Sequence, residues 1–196
     1  MSNDTFKSNI DRWLELQKSG KAKDAKKFYY DKLFDNVLHR FNEKESDNIK
    51  EQVDVLFSIL GYSPEPVVMA ANLFRPKKHI IFQDQQVSQN VENAQIITKY
   101  LQGTIFVTLH DESFACIYDT LKEQLTLHPG HCTINITGGK KSMAASAGIF
   151  ARDFSCNLIY IDYYDYDPGS RRPLPGSEYL NLVYDPKRDM PELFHS

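Results

Sequence analysis

Two glycines and two lysines stand between an apolar run and a helical pattern, and these residue types in this order are suited to binding an anion. Cys132 to Ile136 (CTINI) is a short apolar run with β-branched residues, which predicts a buried strand. Gly138 and Gly139 allow a sharp turn and a close approach of the backbone to a ligand. Lys140 and Lys141 then begin a proline-free run that predicts a helix. Free N–H groups at the helix N-terminus, the helix dipole and two ammonium groups all favour a negatively charged ligand.

Length and composition favour one soluble globular core. The chain has 196 residues, which suffices for such a core, and its net charge of −3 gives no general attraction to duplex nucleic acid or to an anionic membrane. No run approaches the roughly 18 apolar residues of a membrane helix, and the N-terminus lacks a signal-peptide pattern. Three widely spaced cysteines indicate reduced thiols. We therefore expect a cytoplasmic protein, without duplex nucleic acid or membrane as a partner, whose anion site is local.

The first 50 residues predict a pair of helices. Apolar residues recur at helical spacing over residues 5–18 and again over residues 24–41. Residues 42–50 are polar and predict a linker. The expected organisation is therefore an N-terminal helical pair at 1–50 and a second domain at 51–196.

From Val53 onward, segments with the pattern of strands alternate with segments with the pattern of helices. The predicted strands are 53–60, 79–82, 104–109, 132–136 and 157–162, and the predicted helices are 65–74, 87–101, 113–127 and the segment from 140 onward. This alternation is typical of βαβ units with right-handed crossovers. The predicted fold class is therefore α/β, a Rossmann-like, mostly parallel sheet with helices on both faces, preceded by a short helical segment.

The loops after the first and fourth strands are expected to lie side by side. In the commonest strand order of such sheets these two strands are central neighbours, and ligands bind in the crevice beyond their carboxyl ends. The loops are 61–64 and 137–142 in this chain. Both precede predicted helices, so both offer helix N-termini to one ligand.

Several common cofactor and metal motifs are absent from the sequence. No GxGxxG follows the first strand, and the GGKKS run lacks the leading glycine of an NTPase phosphate loop. No HExxH or GxSxG occurs, and the six histidines are scattered. The prediction is therefore no cofactor and no metal.

Two loop motifs together resemble the paired signature of CARF domains, the CRISPR-associated Rossmann-fold sensors of type III systems. The motifs are LGYSPEPV at 60–67 and NITGGKKSM at 135–143. The tail at 164–180 is similar to a β-hairpin that follows strand five in one branch of the family, which implies a hairpin at about 163–185. The helical segment KFYYDKLFDNVLHRF is similar to that branch as well. The resemblance implies binding of cyclic oligoadenylate across a homodimer, with tetra-adenylate favoured over hexa-adenylate.

The candidate ligand-binding residues all lie at the predicted carboxyl ends of strands. They are Gly61, Tyr62, Ser63, Gln83, Thr137, Gly138, Gly139, Lys140, Lys141 and Ser142. The glycine amides and a lysine would hold phosphate, Ser63 would add a hydroxyl, and Tyr62 with residues 83–86 would contact adenine.

Structural roles compete with these assignments. Ser63 is a natural helix cap, Tyr62 is a candidate for packing, and one of the two lysines is expected in solvent. Asp111 or Ser113 is expected to cap the following helix rather than to act in chemistry.

Three functions remain open from the sequence. The first is a sensor of cyclic oligoadenylate. The second is a metal-independent ring nuclease, in which a ligand 2′-hydroxyl attacks the adjacent phosphate while Ser63, Lys140 and Lys141 stabilise the developing charge. The third is a regulator acting through its N-terminal helices. Effectors of the resembling family usually carry a further domain, for which 196 residues leave no room, so we expect a stand-alone sensor or the sensor part of a split or truncated effector.

Overall fold

The computed structural model describes residues 3–190. The helices of this part are α1 (Asn3–Lys18), α2 (Ala22–Lys32), α3 (Phe34–Glu45), α4 (Glu65–Phe74), α5 (Gln85–Ser88), α6 (Val91–Tyr100), α7 (Phe114–Leu127), α8 (Lys141–Asp153) and α9 (Pro186–Asp189). The strands are β1 (Val55–Ile59), β2 (Lys78–Gln83), β3 (Ile105–Thr108), β4 (Cys132–Asn135), β5 (Asn157–Tyr163) and β6 (Glu178–Tyr184). None of these helices combines the length and the apolar character that crossing a bilayer requires.

The strands form one sheet in the order β3-β2-β1-β4-β5-β6. β1 pairs in parallel with β2 on one side and with β4 on the other, and β2–β3 and β4–β5 are parallel as well. Every residue of β1 is buried, which explains its near-continuous apolar sequence. The predicted fold class is confirmed: the chain is α/β with a Rossmann-like, mostly parallel sheet.

The described residues divide into two compact units, residues 3–47 with 162–179 and residues 48–161 with 180–190. In the second unit, Phe57 and Phe82 meet edge to face with ring centroids 5.0 Å apart. Ala147 and Ala151 of α8 are fully buried in the same core, because their small side chains let the helix backbone approach the sheet closely. α8 is therefore held firmly where its N-terminus meets the end of β4.

The first unit has its own aromatic core. The Tyr29 ring lies 6.1 Å from that of Trp13 and 5.7 Å from that of Phe34. In the 162–179 segment, Tyr166 and Pro173 form an antiparallel bridge, and Asp167 accepts a hydrogen bond of 2.7 Å from the Ser170 N–H. The segment therefore folds back on itself as a hairpin.

Two of the predicted helices are each divided in the structure. The helix predicted over residues 24–41 is interrupted at Leu33, whose φ of −115° departs from helical geometry and separates α2 from α3. The helix predicted over residues 87–101 is α5 followed by α6, because the Asn90 side chain accepts a hydrogen bond from the Asn93 N–H and caps a new helix. The division of the chain into domains at residue 50 stays a prediction.

Candidate functional site

The loops after β1 and β4 are in direct backbone contact at their glycines. A Cβ atom added at Gly61 would lie 2.7 Å from the Gly139 nitrogen, and one added at Gly138 would overlap the Ile59 carbonyl oxygen. Gly139 has a φ of +76°, which favours glycine. The structure thus brings together the two loops that the strand order predicted to be neighbours.

Asn135, the last residue of β4, connects the loop after β4 to the first turn of α4, which follows the loop after β1. Its Oδ1 accepts hydrogen bonds from the Thr137 N–H at 3.1 Å and from the Thr137 hydroxyl at 2.6 Å. Its Nδ2 donates to the Pro66 carbonyl at 3.0 Å. The Thr137 hydroxyl also accepts from the Ile161 N–H at 2.8 Å. The predicted ligand residue Thr137 therefore already uses its hydroxyl group within the fold.

The middle of the β1–α4 loop is presented to solvent. Tyr62 is 68% exposed, and Ser63 is exposed as well. The alternative in which Tyr62 is a packing residue is therefore wrong. The Tyr62 backbone is nevertheless fixed, because the buried Asn93 donates its Nδ2 to the Tyr62 carbonyl at 3.1 Å and to the Gly61 carbonyl at 3.4 Å.

Ser63 does not cap α4. The capping position is occupied by Pro64 with helical dihedral angles, and no side chain makes a capping hydrogen bond there. If Ser63 were the cap, the third helical residue would be Pro66, which has no N–H to donate. The capping alternative for Ser63 is therefore wrong, and its hydroxyl is exposed at the start of the helix.

The N-terminus of α8 presents backbone donors beside the glycine turn. Its first intrahelical bond runs from the Ala144 N–H to the Lys140 carbonyl, 3.2 Å apart. The N–H groups of Lys141, Ser142 and Met143 precede that bond, so they have no partner within the helix. They carry the positive end of the helix dipole.

The two lysines at this helix start have different environments. The Lys140 ammonium lies 3.2 Å from Asp84 Oδ2 and also bonds Glu112 Oε1. Lys140 donates to both carboxylates, and these hydrogen bonds raise its pKa, with Glu112 contributing most and Asp84 next. Lys141 is exposed and forms no hydrogen bond or ion pair with other residues in the 3–190 range. Of these two lysines, Lys141 is therefore the one whose ammonium group no carboxylate among residues 3–190 neutralises.

Asp84 is ionised next to Lys140. Burial opposes its charge most strongly, yet hydrogen bonds from the Val87 N–H and from Lys140 outweigh it and hold the pKa of Asp84 below its ordinary value. Because Asp84 and Glu112 together carry two negative charges against one on Lys140, this cluster is net negative.

A groove of about 410 Å³ lies at the carboxyl ends of β2 and β3. Its lining residues are Asp84, Gln85, Gln86, Leu109, His110, Asp111, Glu112 and Lys140. Ser113 caps α7 by accepting from the Cys116 N–H at 3.2 Å, and Asp111 accepts from the Ser113 N–H at 2.7 Å. Of the two residues expected as alternatives for the cap, Ser113 is therefore the one that caps α7.

Gln83 lies apart from the exposed part of the candidate site. Its side chain is only 8% exposed, and its Nε2 donates to the Thr108 hydroxyl at 3.4 Å. Gln85 and Gln86, which follow it, line the groove. They are the glutamines of this segment that a ligand could reach.

A cavity of about 650 Å³ lies at the opposite ends of the strands, where the strands begin. It is bordered by His131 and Asn157, at the amino ends of β4 and β5, and includes none of the predicted ligand residues. Ligands of doubly wound sheets bind at the carboxyl ends of the strands. The geometry therefore favours the glycine loops as the functional site.

Four side chains that contact predicted residues were not named as site residues from the sequence, although one of them, Asp84, lies within the 83–86 segment that was expected to contact adenine. They are Asp84, Asn93, Glu112 and Asn135. The positions of Asp84 and Glu112 could have been predicted from the sequence, because residues that follow neighbouring parallel strands lie close together at the carboxyl ends of those strands. Asn135 could have been predicted as well, as a polar residue that ends an apolar strand. Asn93 could not, since its contact depends on how α6 packs.

The chain is similar to a curated relative and to several solved structures, two of which are described below. No family model matches the chain. The CRISPR system endoribonuclease Csm6 of Thermus thermophilus is 35% identical over 144 residues, which cover 68% of this chain and 30% of that protein. The chain therefore spans less than a third of the length of the curated relative it matches.

The two solved structures are more distant. Can2 from Sulfobacillus thermosulfidooxidans, solved in complex with cyclic tetra-adenylate, is 24% identical with a TM-score of 0.49, over 56% of this chain and 32% of that chain. VC1899 from Vibrio cholerae is 15% identical with a TM-score of 0.47, over 66% of this chain and 35% of that chain.

The family assignment depends on the loop motifs and the curated relative. Leu60–Val67 and Asn135–Met143 carry the paired CARF signature, and the structure places their glycines in contact. The 35% identical relative comes from a CRISPR system. The chain belongs to the CARF domain proteins of type III CRISPR systems.

Proposed function

We propose that the chain binds a cyclic oligoadenylate across a homodimer and acts as a sensor in type III CRISPR signalling. The observation that carries this proposal is the backbone contact between the Gly61 and Gly138–Gly139 loops. That contact puts an exposed tyrosine and serine beside a helix N-terminus with free N–H groups. A ligand with both bases and phosphates uses all of these features.

Phosphate is held by the start of α8. The N–H groups of Lys141 and Ser142 are free of intrahelical bonds, and they point along the positive end of the helix dipole. The Lys141 ammonium adds a charge-assisted hydrogen bond, which is roughly twice as strong as a neutral one. Lys140 contributes less, because Asp84 and Glu112 already neutralise it.

Adenine is held by the β1–α4 loop. Tyr62 presents an exposed ring, and stacking of a base on an aromatic side chain is worth about 1–3 kcal/mol. The Ser63 hydroxyl is not used in capping, so it is available to the ligand. Gln83, which is buried and bonded to Thr108, would support β2 rather than contact the base.

Symmetry supports a dimer as the binding unit. A cyclic oligoadenylate with an even number of nucleotides has a two-fold axis. A C2 dimer presents the same surface twice, so that two α8 N-termini meet two equivalent phosphates. Each chain then supplies half of the site.

Ring cleavage is the alternative that the same residues allow. It needs a group that stabilises the charge developing on the attacked phosphate. Lys140 is poorly suited to that role because two carboxylates hold it. Lys141 and Ser63 would have to act without it, and we therefore favour the sensor.

Calorimetric titration with cyclic tetra-adenylate and cyclic hexa-adenylate tests this function. We expect binding by the unaltered chain, and Lys141→Ala to weaken it by about tenfold to a hundredfold, the loss of one charged hydrogen bond. Lys122→Ala on α7 removes the same charge from an exposed position and should bind normally. Lys140→Ala should weaken binding less than Lys141→Ala does.

Failure of the unaltered chain to bind either ring would overturn the proposed function. Equal affinity of the Lys141→Ala and Lys122→Ala variants would show that phosphate is held elsewhere. Incubation of each labelled ring with the protein in EDTA then separates the two candidates. Intact ligand supports the sensor, and linear products support the ring nuclease.

A further inference from the structure

We infer that Asn93 and Asn135 are positioning residues that hold the 61–66 loop in a form ready for ligand. This inference rests on the proposed function, because it assigns these two residues to the same site. Neither side chain is exposed to the ligand: Asn135 is fully buried and Asn93 is 1% exposed. They act through the backbone of the loop.

Asn135 holds the first turn of α4, directly after the β1–α4 loop, and ties it to the glycine turn. Its Nδ2 donates to the Pro66 carbonyl at 3.0 Å, while its Oδ1 accepts from the N–H and the hydroxyl of Thr137. One amide therefore joins the β1–α4 loop, which would hold the base, to the β4–α8 turn, which would hold phosphate. The spacing between the two parts of the site depends on this side chain.

Asn93 holds the N-terminal end of the loop. Both carbonyls that it contacts, those of Gly61 and Tyr62, accept from the same Nδ2. Its own N–H bonds Asn90 Oδ1 at the start of α6, so the donor comes from a fixed helix turn. Asn93 Oδ1 is buried and has no hydrogen-bond partner among the residues described.

The unpartnered oxygen of Asn93 argues that this residue is not placed there for stability alone. A buried polar atom without a partner costs about 1–3 kcal/mol. An apolar side chain of similar size would avoid that cost but could not bond the two loop carbonyls. We therefore attribute the presence of the amide to the two hydrogen bonds that its Nδ2 donates to the loop carbonyls.

The two ends of the loop have backbone contacts of their own, because Gly61 packs against the glycine turn and the Pro64 carbonyl accepts from the Val67 and Val68 N–H groups. Tyr62 and Ser63 between them make no backbone–backbone hydrogen bond with the residues described. Tyr62 and Ser63 are exposed, and no side-chain hydrogen bond caps α4. Without the two asparagines the Tyr62 backbone would sample other conformations, and binding would have to order it. Ordering a loop in advance removes that entropic cost and increases affinity without any new contact to the ligand.

Hydrogen–deuterium exchange of the ligand-free protein tests the loop itself. Asn93→Leu removes the donor at similar volume, and Asn135→Asp keeps an acceptor for Thr137 but loses the donor to Pro66. We expect both to speed exchange in a peptide covering 60–67, and Asn135→Asp to leave the 137–143 peptide unchanged. Asn90→Asp preserves the α6 cap on the same helix and is the matched control.

Titration with cyclic tetra-adenylate tests the consequence for binding. Each of the two variants should bind about threefold to tenfold more weakly, mainly through faster dissociation, as expected for one or two lost hydrogen bonds. The dependence of affinity on salt should stay that of the unaltered chain in both asparagine variants. Lys141→Ala should reduce it, because that substitution removes a charged group proposed to contact phosphate.

Each outcome has a defined meaning. Unchanged exchange at 60–67 in both variants overturns the inference. Faster exchange throughout residues 48–161 also overturns it, because the asparagines would then serve general stability. If exchange rises at 60–67 but the unaltered chain binds no cyclic oligoadenylate, the loop-holding role stands and the proposed function fails.

Discussion

Gly138 is the residue at which the candidate site tolerates least change. A Cβ there would overlap the Ile59 carbonyl oxygen and lie 2.7 Å from the Gly61 nitrogen, and backbone atoms cannot move aside cheaply. We expect Gly138→Ala to lower the free energy of unfolding by about 1–3 kcal/mol, as overpacking does, and to separate the two loops. Urea denaturation measures the change.

Gly148 is the control for this substitution, because it lies within α8, and an added Cβ would meet only Leu158 Cδ1 at 3.9 Å. Gly148→Ala should raise the free energy of unfolding by about 0.5–1 kcal/mol through helix propensity. If both glycine variants had the same stability, the close contact between the loops would be contradicted.

His79 is a buried histidine whose charge depends on folding. Its Nε2 lies 2.9 Å from the Ser58 hydroxyl and its Nδ1 lies 3.4 Å from the Thr104 hydroxyl. Burial lowers the pKa of His79 from 6.5 to about 4. The unfolded chain therefore binds a proton between pH 6.5 and pH 4 that the folded chain does not.

Because the unfolded state binds more protons in that window, stability falls as the pH decreases through it. A shift from 6.5 to about 4 corresponds to about 3 kcal/mol in full, and about 2 kcal/mol of this is lost between pH 7 and pH 5. Urea unfolding at the two pH values should show this loss in the unaltered chain. The His79→Gln variant should lose about 2 kcal/mol less, and an equal loss in both proteins would contradict a neutral buried His79.

Two serines stand before helices in this fold, and only one of them is a cap. Ser113 accepts from the Cys116 N–H at the start of α7, whereas Ser63 makes no capping bond at α4. We expect Ser113→Ala to lower the free energy of unfolding by about 1 kcal/mol and Ser63→Ala to change it by less than about 0.5 kcal/mol.

Chemical denaturation of the two variants under one set of conditions makes this comparison. A loss of stability in Ser63→Ala as large as that in Ser113→Ala would restore the capping role of Ser63. The same variants then separate stability from ligand contact, because only Ser63→Ala should weaken binding of cyclic oligoadenylate.

The elements that the sequence predicted well are those with strong periodic patterns. α4 begins and ends at the predicted residues, and all five predicted strands occur within two residues of their expected bounds. The adjacency of β1 and β4 was expected from the commonest strand order of such sheets, and the structure has it. The interruptions at Leu33 and Asn90 were missed, because the apolar spacing on both sides of each continues one helical pattern.

The sequence allowed us to predict where the loops of the candidate site lie, but not which side chains contact each other within it. The contact between Gly61 and Gly138 followed from the topology. The engagement of Lys140 by Asp84 and Glu112 did not, because it joins residues from three loops whose side-chain directions depend on packing. The same holds for Asn93, which reaches the β1–α4 loop from α6.

At the scale of the whole molecule, the charge of the protein does not favour binding of an anion. The chain carries a net charge of −3, and the cluster of Lys140, Asp84 and Glu112 is itself net negative. An anionic ring is therefore not drawn to the protein by a general field. In the proposed function, its binding would depend on the free N–H groups of α8 and on Lys141, and one chain offers few such groups.

This scarcity argues for two chains in each binding unit. In the proposed function, one α8 N-terminus would contact one phosphate, whereas a ring with two-fold symmetry has equivalent phosphates that a single chain would leave unpaired. We expect a calorimetric stoichiometry of one ring per two chains, and light scattering that gives the mass of two chains in the complex. Lys141→Ala should keep the mass of the dimer while losing affinity, since Lys141 is proposed to contact the ligand. A stoichiometry of one ring per chain, or a complex with the mass of one chain, would contradict a site shared across the two-fold axis.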